Sequence, residues 1–212
     1  MINSEFIFDN IEKFDIHSSQ KEIFEKIVNN IEKDKKILIA GDQLSGKSFF
    51  SRKLALALKE KLKLDSNQII IYDYPLIILE IMVEQGILDI NNSKIKKFLD
   101  NNNLHEILKF DNHDLIILDE INSTIFADLI KYEFEIKENQ IIILVCGVRG
   151  LYLLNKKYFD EKNFQYYHLQ FPSLQDKIKM LKQYQKLSNT PILNFEEKTS
   201  SLDNKKFKSL IT

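Results

Sequence analysis

Gly41-Asp42-Gln43-Leu44-Ser45-Gly46-Lys47-Ser48 sets two glycines with four residues between them and follows the second with an amine and a hydroxyl. Glycines let a backbone wrap closely around an anion, so that successive N–H groups and the positive end of a following helix face it. In such a loop Lys47 reaches the outer phosphates of a polyphosphate and Ser48 coordinates magnesium, with Phe49 next to them in the first helical turn. The context strengthens the pattern. An apolar run, Ile37-Leu38-Ile39-Ala40, precedes the loop and helical periodicity resumes at Lys47, the strand, loop and helix setting in which the motif has its mechanism.

A second stretch, Asp114-Leu115-Ile116-Ile117-Leu118-Asp119-Glu120, reads as a buried strand that delivers Asp119 to the sheet edge, where it can hold a magnesium shell. Glu120 beside it can polarise an attacking water, which implies hydrolysis; the same pair could instead cap the next helix. Cys146-Gly147-Val148-Arg149 closes a later apolar run. Cys146 reads as a small buried hydrophobe, while Arg149 either contacts a terminal phosphate or lies on the surface. Arg52 and Arg149 are the only arginines. Asp73, past an earlier apolar run, stands where a small-molecule kinase would keep its base, but a kinase of that kind neutralises the phosphoryl group with several arginines. His17, His105, His113 and His168 lack metal-ligand spacing and read as packing or surface residues.

The elements that must position these residues alternate. Strands are expected over 37–40, 68–72, 114–118, 140–145 and 164–171, and helices over 19–32, 47–64, 76–85, 94–109 and 121–132. Capping-box patterns open two helices, Ser19 with Glu22 and Ser173 with Asp176. Along the second, Leu174, Ile178, Leu181 and Tyr184 form an apolar stripe, with Lys177, Lys179, Lys182 and Lys186 as a solvated face. The result is an α/β class: a doubly wound, five-stranded parallel sheet of the P-loop NTPase type, with a short C-terminal helical segment. The expected division is a nucleotide-binding core over 1–172 and a lid-like segment over 173–212, irregular from about residue 188.

The 212 residues, 44% hydrophobic and 29% charged, suit one packed domain. A net charge of -1 provides no global field toward nucleic acid or anionic lipid, so direct DNA contact is expected to be weak and local, and no membrane partner is expected. The single Cys146 excludes an intramolecular disulfide, and residues 1–10 carry Glu5 and Asp9 without a basic-then-apolar pattern, so a cytoplasmic location is expected.

Together these features resemble the AAA+ ATPases, and within them the bacterial DnaA/Hda-like replication-initiator group, over roughly residues 8–184. Phe14-Asp15-Ile16-His17-Ser18-Ser19-Gln20 looks like the group's lead-in segment, which packs beside the adenine and would place Ile16 there. Residues 115–122 look like its acidic strand, and Phe171-Pro172-Ser173-Leu174-Gln175-Asp176 like the start of its helical lid. The resemblance implies ATP or ADP with magnesium as ligand. It also implies a protein partner, either a replication initiator or a second copy, and nucleotide-dependent contacts. Two features depart from the group. Asn155-Lys156-Lys157-Tyr158-Phe159-Asp160-Glu161-Lys162 lacks the arginine offered to a neighbour's nucleotide, and no arginine follows Arg149 to serve the lid. Hydrolysis is therefore expected to be slow. Ser4-Glu5-Phe6-Ile7-Phe8 echoes the group's clamp-binding peptide without its glutamine.

Overall fold

The computed structural model describes residues 4–42, 45–73, 113–121, 137–147 and 155–189. Among them, β1 (Lys36–Gly41), β2 (Ile69–Asp73), β3 (Leu115–Ile121), β4 (Ile141–Cys146) and β5 (Gln165–Leu169) form one parallel sheet in the order β2-β3-β4-β1-β5. The sequence is expected to be α/β with a five-stranded parallel sheet, and that is the architecture found. β1 pairs on one side with β4, Leu38 opposite Leu144, and on the other with β5, Leu38 opposite Tyr166. β4 therefore separates the phosphate-loop strand from the acidic strand.

The strands are near-continuous apolar runs because both faces of a parallel sheet are covered. Ile37, Ile39, Leu115, Ile117, Ile141, Ile143 and Val145 join one core cluster. Onto that face pack Ile27 of α2 (Lys21–Asn30) and Phe50, Leu54 and Leu58 of α3 (Lys47–Leu62). The alternate residues Leu38, Ile116, Leu118, Ile142 and Leu144 face the other way and are buried as well.

A second cluster joins the first helix and the segment after it to the last described helix. Ile7 of α1 (Ser4–Asp9), Ile11, Phe14 and Phe49 pack with Leu181 and Tyr184 of α5 (Leu174–Ser188). Phe6 meets Tyr184 edge to face at 5.4 Å. The stretch that echoes a clamp-binding peptide is thus built into the core through Phe6 and Ile7. Neither α1 nor α4 (Lys156–Glu161) has the periodicity by which longer helices declare themselves.

Several expectations are corrected. Ser19 does not open a capping box. It lies in a 3-10 turn, Ser18–Gln20, and its hydroxyl donates to Asp176 across the molecule. β3 runs through Ile121, which was expected to begin a helix, and β5 is shorter than 164–171. On α5, Lys177 is buried and leaves the expected solvated face, while Lys179, Lys182 and Lys186 stay exposed, Lys179 beside Asp15. Leu174, assigned to the apolar stripe, is 45% exposed. The capping box of Ser173 with Asp176 forms as expected. The expected helices over 76–85 and 94–109, the rest of 121–132, and the tail beyond 189 lie outside the described residues.

Candidate functional site

β1 ends at Gly41 and α3 begins at Lys47, so the chain must reverse within a few residues at the carboxyl edge of the sheet. Two glycines make that turn possible for different reasons. At Gly41 space is the constraint: a Cβ there would come within 2.5 Å of Ser45 Oγ and 3.2 Å of the Leu169 carbonyl. At Gly46 conformation is the constraint, since φ of 80° lies in the left-handed region, whereas the nearest atom to a Cβ there, His17 Nε2, is 3.6 Å away.

The loop closes on itself. Asp42 O accepts from Ser45 N at 3.1 Å and from Lys47 Nζ at 2.9 Å, which draws the ammonium across the mouth of the turn. Phe50 N makes the first intrahelical bond, to Gly46 O, so the N–H groups of Lys47, Ser48 and Phe49 project from the start of α3 toward the loop. The positive end of a 16-residue helix adds to that field. Phe49 contributes its backbone here, while its side chain is buried in the second core cluster with its ring centroid 5.5 Å from that of His17.

β3 carries Asp119 to the same edge. Its pairing with β4 slips between Leu118, opposite Leu144, and Ile121, opposite Cys146, so the irregularity falls on Asp119 and Glu120. An extra residue in one strand bends it and re-aims its side chains. The Asp119 side chain is fully buried, with Arg52 Nη1 3.6 Å from its Oδ2. The side chain of Glu120, and Gln43, Leu44 and Arg149 entirely, lie outside what is described. Cys146 is buried, as expected of a small hydrophobe.

Opposite the loop lies the lead-in segment, held by α5. Ser18 donates its N–H and hydroxyl to Asp176 Oδ1 at 2.6 and 2.7 Å, and the Ser19 hydroxyl reaches Oδ2 at 3.0 Å. Ser173 adds its own N–H and hydroxyl to Oδ2. Burial pushes the Asp176 carboxyl pKa up, but the bonds from Ser18 and Ser173 outweigh it and hold the group well below the ordinary carboxylate range. Three residues on, Lys179 pairs with Asp15 at 2.8 Å, and Gln183 donates to the same carboxylate. Ile16 is half-buried between the two core clusters. Gln20, fully buried, donates to Ser45 O at 2.7 Å and Gln170 O at 3.0 Å, tying the lead-in segment to both the phosphate loop and the end of β5.

The structure thus brings Gly41, Asp42, Ser45, Gly46, Lys47, Ser48 and Asp119 to one sheet edge, with Ile16 and His17 alongside. Sequence reasoning missed Gln20, Asp176 and the engagement of Arg52. For Arg52 a signal existed, because it lies one helical turn beyond Ser48. Asp176 was legible only as the capping-box partner of Ser173, since its bonds to Ser18 and Ser19 span more than 150 residues, and Gln20, reaching Ser45 and Gln170, had no signal. Among the described residues no helix is long and apolar enough to cross a membrane, and no His, Cys, Asp and Glu group of three or more has the arrangement of a metal site.

No family model matches the sequence, and no curated protein is similar to it in sequence. The fold, in contrast, is found in solved structures. Domain III of the replication initiation protein DnaA from Thermotoga maritima superposes with a TM-score of 0.64 at 9% identity, over 94% of this chain and 85% of that one. AMPPCP-bound DnaA from Aquifex aeolicus gives 0.53 at 15% identity, over 93% of this chain and 62% of that one. PCH-2 from C. elegans gives 0.53 at 16%, over 86% and 52%. At these identities the likeness is one of architecture: the chain has the fold of the DnaA AAA+ domain.

Proposed function

We propose that this protein is an ATP- or ADP-binding AAA+-like ATPase of the Hda-like kind, which uses its nucleotide state to set contacts with a replication partner and hydrolyses slowly. The observation that carries the reading is topological. β4 lies between β1 and β3, and the glycine-shaped loop and Asp119 share one carboxyl edge of the sheet, the edge at which open α/β sheets bind ligands.

The residues present fit a nucleotide. Asp42, Ser45 and Gly46 provide backbone amides at a turn that a side chain at Gly41 would crowd, and Gln43 and Leu44 belong to the proposed set by their place in the sequence. Lys47 supplies the ammonium for the outer phosphates, and the N–H groups of Lys47 to Phe49 face the same anion. Ser48 and Asp119 are the oxygen donors for magnesium, which would neutralise charge on the outer phosphates when bound. The roles that their sequence positions suggest complete the proposal: Glu120 to polarise water, Arg149 to meet the terminal phosphate, and Ile16 to flank the base. The 155–162 stretch holds lysines and no arginine, so no neighbour receives the guanidinium that can speed such reactions by about a thousandfold or more.

Support for a replication-associated role comes from the DnaA likeness, one of those structures being described with AMPPCP and single-stranded DNA. The partner would be a replication initiator or a second copy of the chain, and DNA contact through the α5 lysines would be minor. Thermal-shift screening with magnesium and ATP, ADP, GTP or deoxynucleosides tests the reading. Stabilisation by ATP and ADP is expected, and no shift with any nucleotide would overturn it. Glu120→Gln then separates slow hydrolysis from a pure binding module, whose residual turnover the substitution would leave unchanged. A small-molecule kinase is the second reading, favoured by Asp73 lying in register with Asp119 at the ends of β2 and β3. It predicts phosphate transfer to an added nucleoside.

A further inference from the structure

Of the two residues given above to magnesium, Asp119 already has a cation of the protein beside it, and that cation is anchored on the backbone carbonyl of the other, Ser48. Arg52 Nη1 donates to Ser48 O at 3.3 Å and stands 3.6 Å from Asp119 Oδ2. On its other side the guanidinium lies over the Phe8 ring, 4.4 Å from the centroid. Its position follows from helical spacing: four residues beyond Ser48, it projects from the same face of α3 as that serine. The Asp119 side chain is fully buried and the Arg52 side chain is 22% exposed, so the pair is only weakly screened. A guanidinium does not give up its proton in a protein, so this positive charge is permanent.

We infer that Arg52 is the resident cation of the phosphate site, balancing Asp119 where a metal ion would otherwise do so, and that nucleotide binding is in consequence largely independent of magnesium. The inference rests on the nucleotide reading and adds to it the way its affinity is regulated. In a site whose buried carboxylate has no nearby cation, the polyphosphate and the carboxylate repel each other until a divalent ion bridges them. Here the carboxylate is already offset, and a divalent ion entering between Ser48 and Asp119 meets a like charge at short range. Phe8 stabilises the guanidinium through its ring face, so the first helix helps to hold the cation in place.

Calorimetric titration of ADP into the full chain and its Arg52→Gln variant, each with magnesium and with EDTA, tests this. For the unmodified chain, chelation should change the affinity by less than about threefold, whereas the variant should weaken by about tenfold or more. A drop of about tenfold in the unmodified chain on chelation overturns the inference, as does a variant equally indifferent to magnesium. An unmodified chain that binds no nucleotide in either buffer instead brings down the nucleotide reading, and this inference with it. Thermal unfolding without nucleotide provides an independent readout of the pairing. Arg52→Gln should lower the melting temperature and Asp119→Asn in the same chain should restore most of the loss; additive losses would mean the two residues are not paired.

Discussion

The loop between β1 and α3 and the lead-in segment that faces it border the same site but are held in place by different physics. The loop is fixed within itself: Gly41 gives room, Gly46 gives a left-handed φ, and Asp42 O gathers Ser45 N and the Lys47 ammonium. The lead-in segment has little internal support beyond the bond of Gln20 N to His17 O in its 3-10 turn. It is held by α5, through bonds between Ser18 and Asp176 that span 158 residues, and by Asp15 against Lys179 and Gln183. A locally fixed loop keeps its shape when distant parts of the chain change. A segment pinned largely by one buried carboxylate shifts when that carboxylate is lost, which makes α5 a handle on the lead-in side, with the bond from Gln20 to Ser45 O as the link by which such a shift would reach the loop.

The largest effect should come from the clamp. Asp176→Ala removes charge-assisted bonds to Ser18, Ser19 and Ser173, whose exposed donors then turn to water, so a loss of about 2–4 kcal/mol in denaturant unfolding is expected. A loss under about 1 kcal/mol would show that the lead-in segment is held by its apolar contacts instead. On the other side of the comparison, Lys47→Ala should weaken ATP binding by about 100-fold while the unfolding midpoint barely moves. Its side chain bonds the Asp42 carbonyl and is not part of either core cluster. Retained affinity in calorimetry would sink the phosphate-site assignment, and a large loss of stability would show that the loop depends on Lys47 for its shape.

That contrast also explains which parts were legible before the structure. Apolar runs such as Ile37–Ala40 and Ile141–Val145 announce buried parallel strands because alternation disappears when both faces are covered. The loop between β1 and α3 is legible for the same local reason, most of its constraints lying within a few residues. Ser19 shows where such reasoning stops. Its spacing to Glu22 has the form of a capping box, in which the hydroxyl would accept from the helix backbone, but in the fold it donates to Asp176 instead, and nothing near Ser19 in the chain reveals that. Lys177 fails likewise: helical position places it among lysines, and only the packed fold decides which of them is buried. The irregularity at Asp119 arises from pairing with β4 and has no counterpart in the order of residues along β3.

The two glycines test the loop half more finely. Gly41→Ala should cost about 1–3 kcal/mol through crowding, and Ser45→Ala in the same chain should recover part of it by removing the hydroxyl at 2.5 Å, leaving the 3.2 Å approach to Leu169. Gly46→Ala should cost about 1–2 kcal/mol through its φ alone, and here the same Ser45→Ala change should bring no recovery. Equal rescue at both positions would mean that the loop is limited by space throughout.

The smallest effect reports on the boundary between the two halves, where His17 meets Phe49 on the loop side and Asp176 and Lys177 on the clamp side. Burial lowers the His17 pKa, Asp176 opposes the shift and Lys177 reinforces it. The folded protein therefore holds this imidazole neutral at pH values where the unfolded chain, titrating near the ordinary value of about 6.5, has begun to take up a proton. Its contribution to stability is intact above that value and is lost as pH falls through the lower folded-state value. Urea midpoints for the unmodified chain should accordingly be lower at pH 5.5 than at pH 7.5, and His17→Gln, which cannot titrate, should narrow that difference. Asp176 cannot mimic the effect, because its carboxyl stays ionised until far more acid conditions. If His17→Gln leaves the pH dependence unchanged, protons are entering elsewhere, and the junction between loop and clamp is not where acid first loosens the site.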